Sequence, residues 1–431
     1  MSKLSGRKNV EDEGNKVQNI QRVWDVAKKQ LLGTLRKVKK AKPSIFVDDR
    51  LSLYLCFGEY GENSEVSYTI SSVGFRKLLA APSPVKLEMV TTFSAEGLPR
   101  YMGCGLWGSK IVLGGGAQQV SGSLEYDMVP EIYSIETAND TRVELPKMVK
   151  GSMLPMLVEV DSKLYALGKA YNPCFQVFDG NHWSELPLPP YTKFSVYPFT
   201  HKHPACRDDV YFAAAERHIL LCEGAGSFYF DTAEPEHGWR ELQTIFFKPF
   251  IFFGTSLIVN DGKQFVHFTF ELAEGHHISV HLISYDFTTI KQDHSCVQLP
   301  PYLLHYKDDC LGDIPLPNYQ LLHLGGNNVC LFLSKLQRSG EDGGKNKMTR
   351  CVESVAFTFK VKDNADSSFK VKFLPRTPML VYDDDDMDVP FGAGQMLGAF
   401  IMYSILQLKN VFLIGQNYRL IETRLHIDCS S

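Results

Sequence analysis

Short apolar, β-rich runs alternate along this chain with tight-turn signals. Seven such turns stand out: Asp48-Asp49, Gly108-Ser109, Asp161-Ser162, Asp208-Asp209, Asp261-Gly262, Asn327-Asn328 and Lys409-Asn410. Most are residue types that tolerate the positive φ of a tight hairpin. Most of the hairpins run on into a Leu-Pro or Ala-Pro stop. A supersecondary unit repeated at roughly 50–60 residues predicts a radially repeated sheet protein, a β-propeller.

After Pro43 the pattern is strand and turn throughout. The first unit reads SIFV (44–47), LSLYLCF (51–57), VSYTIS (66–71) and RKLLAAP (76–82). The second reads YMGCGLW, KIVLGGG, EIYSIET and TRVELP, from Tyr101 to Pro146. The third is LPMLVEV, KLYALG, CFQVFD and HWSELPLPP, and the fourth HPACR, DVYFAAA, GSFYFDT and GWRELQ. TSLIV, KQFVHFTF, SVHLISYDF and SCVQLPP make the fifth; QLLHLG, VCLFLS, SVAFTF and FKVKFLP the sixth. Four strands in order suit an antiparallel blade. The tail from Gln395 (FIMYSIL, VFLIG, YRLIETRLHI) is less than a whole blade, and would close the ring against the first unit or belong to a seventh. The expectation is an all-β propeller over residues 43–431, of six blades, with seven as the alternative.

The N-terminal region has a different period. Residues 1–16 read as a solvated tail. Over residues 17–42, Val17, Ile20, Trp24, Ala27, Leu31, Leu35 and Val38 recur at helical spacing, with Lys28, Lys29, Arg36, Lys37, Lys39 and Lys40 on the other face. This predicts one amphipathic basic α-helix, ended by Pro43. It would pack on the flank of the propeller, pair with a partner helix or a second copy as a dimer, or act as a basic membrane-surface or nuclear-import segment.

Charge sharpens the division. The net charge of −4 combines 45 Lys/Arg with 49 Asp/Glu. Residues 1–42 hold 12 Lys/Arg and 4 Asp/Glu, a net of +8, so the remainder carries 33 basic and 45 acidic residues, a net of −12. An acidic body argues against nucleic-acid binding by the propeller, since phosphate neutralisation needs clustered Lys and Arg. No stretch reaches the length of a membrane-spanning helix, and MSKLSGRKNVEDEG lacks a signal-peptide core. The ten Cys form no CxxC pair. The expectation is a reduced, cytoplasmic or nuclear setting, with cysteines acting as small buried hydrophobes.

The units resemble the kelch repeat, in which a glycine pair ends the second strand, an aromatic follows in the third and a Trp in the fourth. Here Gly114-Gly115-Gly116 precede Tyr133, Gly168 precedes Phe178 and Trp183, and Tyr229 precedes Trp239. The likeness is to plant kelch, galactose-oxidase-like proteins, some of which begin with an LYLC-like strand. It implies a propeller fold, a Trp wedged between neighbouring blades and Gly where strands crowd the axis. Many such relatives carry an F-box before the propeller, and residues 1–42 do not match that module.

Candidate chemistry is sparse. No arrangement of Tyr, His and Cys matches the copper site that a galactose-oxidase likeness would imply, and no His has an Asp four residues before it, as the iron site of related specifier proteins requires. His201 and His203 share a face but lack a third ligand, as do His276, His277 and His281. Gly103-x4-Gly108-Ser109-Lys110 has the wrong order for a phosphate loop and no following helix. The acidic run Asp383–Asp386 with Asp388 lacks the spacing of a calcium loop. No catalytic residue, metal or cofactor is expected.

Binding is the better expectation. Two long loops between second and third strands, residues 117–130 and 335–350, fall on one predicted face. Arg100, Arg217, Arg338 and Arg350, with Tyr101 and Tyr126, would supply the Arg and Tyr anchors typical of interface centres. The function expected is a non-catalytic scaffold binding a protein partner, the acidic body favouring a basic one. The alternative is an enzyme or small-molecule binder using the central funnel.

Overall fold

The computed structural model describes residues 51–60, 66–74, 77, 85–94, 97–120, 126–137, 141–168, 172–190, 210–223, 226–241, 256–260, 262, 264–273, 277–285, 293–298, 318–339, 347–361, 369–373, 380–382 and 395–403. The expected tail and helix over 1–42, the SIFV segment, His201, His203, the Asp383–Asp388 run and everything past Tyr403 lie outside them.

Five antiparallel sheets of four strands form propeller blades. In chain order, the second sheet holds Gly103–Trp107, Lys110–Gly114, Ile132–Glu136 and Thr141–Glu144. The third holds Met156–Val160, Lys163–Leu167, Phe175–Phe178 and Trp183–Glu185. The fifth holds Leu257–Asn260, Phe265–Ala273, His277–Tyr285 and Asp293–Gln298. These three follow the expected units closely, because each is an antiparallel meander whose first two strands are joined by a short local turn. Asp161 and Ser162 both take positive φ, 49° and 63°, the two-residue turn that matches the twist of the strands it joins.

The first and fourth sheets depart from expectation. In the first, Leu51–Tyr60 and Val66–Gly74 are joined on the outside by Glu88–Ser94, not by RKLLAAP, and on the inside by Gln395–Tyr403. The C-terminal strand thus pairs with the start of the fold, Leu53 opposite Ile401. In the fourth, the strands are Val210–Ala215, His218–Glu223, Gly226–Asp231 and Trp239–Glu241. The sequence reading passed over His218–Glu223 and took HPACR as a strand in its place. The hairpin turn is Glu216-Arg217, with Glu216 at φ 51°; Asp208-Asp209 lies outside the described residues.

A sixth sheet is larger and mixed. Asn318–His323, Asn328–Ser339 and Lys347–Val361 run antiparallel, and Phe369–Phe373 pairs with one half of the last. Leu380–Tyr382 pairs with its other half, at Arg350–Val352, and Val85–Lys86 adds to Leu380–Tyr382 in parallel. The reading of residues 335–350 as one long loop is therefore corrected: strand pairing continues out to Ser339 opposite Lys347.

The core lies between sheets. Because each blade is covered on both faces, its middle strands are apolar at consecutive positions and do not alternate. Ile111, Leu113, Tyr133 and Ile135 of the second sheet pack on Tyr54, Cys56, Tyr68 and Ile70 of the first. Val112 and Ile132, on the opposite face, pack with Leu157, Leu164, Phe178 and Trp183 of the third. Further clusters join the third to the fourth sheet and the fifth to the sixth. Each such side chain contributes roughly 1.5–3 kcal/mol by burial. The Trp residues do wedge between blades. The Trp183 indole N–H donates to the Pro146 carbonyl at 2.9 Å, and that of Trp239 to the Pro187 carbonyl at 3.1 Å. Each Leu-Pro stop accepts the indole of the following blade.

Candidate interaction platform

Arg100, Tyr101 and Tyr126 come together at the end of the second sheet where its second and third strands connect. Arg100 exchanges two backbone hydrogen bonds with Ala117, at 2.8 and 2.7 Å. Ala117–Gln119 pairs with Tyr126–Met128 to make a small hairpin, placing Tyr126 opposite Gln119. The segment expected to be a loop is therefore partly structured. Tyr101 is partly buried, and its phenol is pushed above its ordinary pKa by burial first and by Tyr126 second, with Arg100 opposing. Tyr101 thus lies within electrostatic reach of both Arg100 and Tyr126.

Several contacts hold this group rigid. The buried Tyr68 hydroxyl of the first sheet donates to the Pro99 carbonyl at 2.6 Å and accepts from the Met102 N–H at 3.2 Å, bracketing Arg100 and Tyr101. Tyr101 has φ 57°, and its carbonyl accepts from Leu154, itself at φ 45°. Two non-glycine residues in this conformation cost energy that the surrounding bonds must offset. Gly116 allows the closest approach: at φ +109°, a Cβ there would stand 2.6 Å from the Arg100 carbonyl oxygen. Gln118 is exposed and donates to the Gly97 carbonyl at 2.5 Å. Sequence reasoning overlooked Tyr68, Gln118 and Leu154, and no local signal marks them.

Arg217 does not belong to this group. It sits in the first turn of its meander, at the end opposite the connection between second and third strands. The cause is the overlooked strand: with His218–Glu223 as the second strand, Val210–Ala215 is the first, and Arg217 falls in the turn between first and second strands. Its guanidinium lies 2.9 Å from the Asp231 carboxylate, which is 5% exposed, with His218 at 3.7 Å. A buried carboxylate needs such partners. Burial lowers the His218 pKa, with Asp231 opposing. The same end of the molecule carries bonds between neighbouring blades, from Trp107 to Ser162, Thr232 to Asp161 and Asn260 to Glu216. Arg217 is part of that structural seam.

Arg338 and Arg350 lie on strands, Arg338 opposite Met348 and Arg350 between Leu336 and Tyr382. They belong to the hairpin between the second and third strands of the sixth sheet. His277 and His281 lie on one strand, facing Ala273 and Thr269 in register. Among the described residues no three His, Cys, Asp or Glu side chains converge as a metal site.

Residues 99–376 match the family model described as Protein of unknown function (DUF1668). The chain belongs to the DUF1668 family. Among curated proteins, none matches it. In this DUF1668 protein the matched region begins beside Arg100 and takes in the second to fifth sheets with most of the sixth, so the platform lies within it. Among the described residues no helix is long and apolar enough to cross a membrane.

Proposed function

We propose that this DUF1668 protein is a non-catalytic interaction propeller that binds a protein partner through the face carrying Arg100, Tyr101 and Tyr126. The observation that carries the reading is their convergence on a backbone fixed by Tyr68, Gly116 and Leu154. Tyr presents much contact area for few rotatable bonds, Arg presents a planar fork of N–H donors, and a rigid platform lowers the ordering cost of association. Arg338 and Arg350, on the equivalent connection of the sixth sheet, extend the same face. The acidic body favours a basic partner. Residues 17–42 are proposed as an amphipathic helix able to form a dimer, and a cytoplasmic or nuclear location follows from the same sequence reading.

A ring of six blades, with kelch-like packing, completes the proposal. Its support is the order of the innermost strands. Gln395–Tyr403, Gly103–Trp107, Met156–Val160, Val210–Ala215, Leu257–Asn260 and Asn318–His323 each lie against the next, and the last lies against the first.

The test is a pull-down from native extract using wild type, the double variant R100A/Y126A, and R217A. Loss of a partner in the double variant, with retention in R217A, is expected. Equal recovery by all three, or loss only with R217A, would overturn the assignment of the face.

A further inference from the structure

Two cysteines from neighbouring sheets meet beside the strand that joins the two ends of the fold. Cys56, on Leu51–Tyr60, is fully buried. Cys104, on Gly103–Trp107, is partly buried and belongs to the same apolar cluster between the first and second sheets. The residue paired with Cys56 on the C-terminal strand is Gly398. A Cβ at Gly398 would stand 2.6 Å from the Phe400 ring and 3.3 Å from the Cys104 sulfur, so both the ring and the thiol lie over the glycine paired with Cys56. The Cys56 thiol is close enough to help raise the Cys104 pKa. Cys330, by contrast, sits on the sixth sheet, and Cys174 directly precedes Phe175–Phe178 of the third; Cys174 receives a bond from Gln176 at 3.6 Å.

We propose that Cys56 and Cys104 form a site of reversible oxidation, closed to an inter-sheet disulfide by hydrogen peroxide. The sulfur of Cys104, the more accessible of the two, attacks one peroxide oxygen. The O–O bond breaks, leaving Cys104 as a sulfenic acid and releasing water. The Cys56 sulfur then displaces that hydroxyl as a second water, so that S–S forms as S–O breaks. Two thiols lose two electrons and two protons, and the peroxide is reduced to two waters. A thiol reductant reverses the bond by exchange. Burial and the neighbouring thiol raise the Cys104 pKa well above its usual value, so Cys104 stays protonated near neutrality and is oxidised faster as pH rises. The product ties the first sheet, already held by the C-terminal strand, to the second.

The test uses the full chain, purified reduced and exposed to hydrogen peroxide at neutral and alkaline pH. Remaining thiols are alkylated, and the unreduced digest is mapped by mass spectrometry. A cross-linked Cys56–Cys104 peptide is expected, more abundant at the higher pH, removed by dithiothreitol and absent from C104A. Oxidised protein should melt higher by about 3 °C or more. Recovery of both cysteines as separate alkylated or sulfinic species, at a dose that oxidises Cys174, would overturn the proposal. So would preferential cross-linking of either one to another cysteine. The wild-type map decides by itself if C104A does not fold.

Discussion

His267 should make the propeller sensitive to mild acid. It lies on Phe265–Ala273, 1% exposed. Its chain neighbours Val266 and Phe268 point into the cluster shared with the sixth sheet, so His267 and Thr269 occupy the other face of the blade. Burial alone lowers its pKa from 6.5 to about 3. An unfolded chain takes up a proton there near pH 6.5, while the folded chain resists until about pH 3. Between those values the unfolded state binds more protons, so stability falls as pH falls, by about 1.4 kcal/mol per unit. From pH 7 to pH 5 the expected loss through this residue is roughly 2 kcal/mol. Urea unfolding followed by Trp fluorescence at pH 7, 6 and 5 measures it, comparing wild type with H267L. The variant differs in absolute stability, but it should lose about 2 kcal/mol less than wild type over that interval. His218, also lowered by burial, is present in both proteins and cancels. Equal losses in wild type and H267L would refute the reasoning, showing that His267 is reached by water or by a partner for its charged form.

Other consequences concern the joints between blades. Trp183→Phe keeps most of the ring packing against Phe178 but removes the N–H given to the Pro146 carbonyl; a loss of about 1–2 kcal/mol is expected in urea titration. Trp239→Phe should behave likewise through Pro187. Gly103→Ala should be far worse, because its Cβ would lie 1.9 Å from the Pro155 carbonyl oxygen, a backbone atom. A cost above about 3 kcal/mol or failure to fold is expected, whereas Gly74→Ala, with nothing within 4 Å, should stay within about 1 kcal/mol of wild type by thermal melting.

Much of the blade pattern was legible because it is local. A two-residue turn such as Asp161-Ser162 and the runs on either side of it lie within a dozen residues, and the residue types themselves favour the turn. The fourth sheet was misread for a related reason. Its real turn, Glu216-Arg217, contains no Gly, Asn or Asp, and Glu216 takes positive φ where Asn260 and the Arg217–Asp231 pair hold the neighbourhood. One overlooked strand then put Arg217 at the wrong end of its blade. Arg100, Tyr101 and Tyr126 were picked as residue types; that they touch one platform depends on Tyr68 and Leu154, which come from adjacent blades.

The amino-acid order thus determined, without further help, that short strands and turns repeat, that they build an all-β propeller, and that a basic N-terminal segment precedes an acidic body. Hydrophobic period, turn chemistry and charge are properties of neighbours in the chain. Only the tertiary structure decided which strand completes the first blade, which end each turn faces and which residues meet between sheets. The pairing of Leu53 with Ile401, the packing of Cys104 over Gly398 and the burial of His267 all join segments far apart in the sequence. Their free energy exists only once the blades have packed, and no local window of residues encodes it.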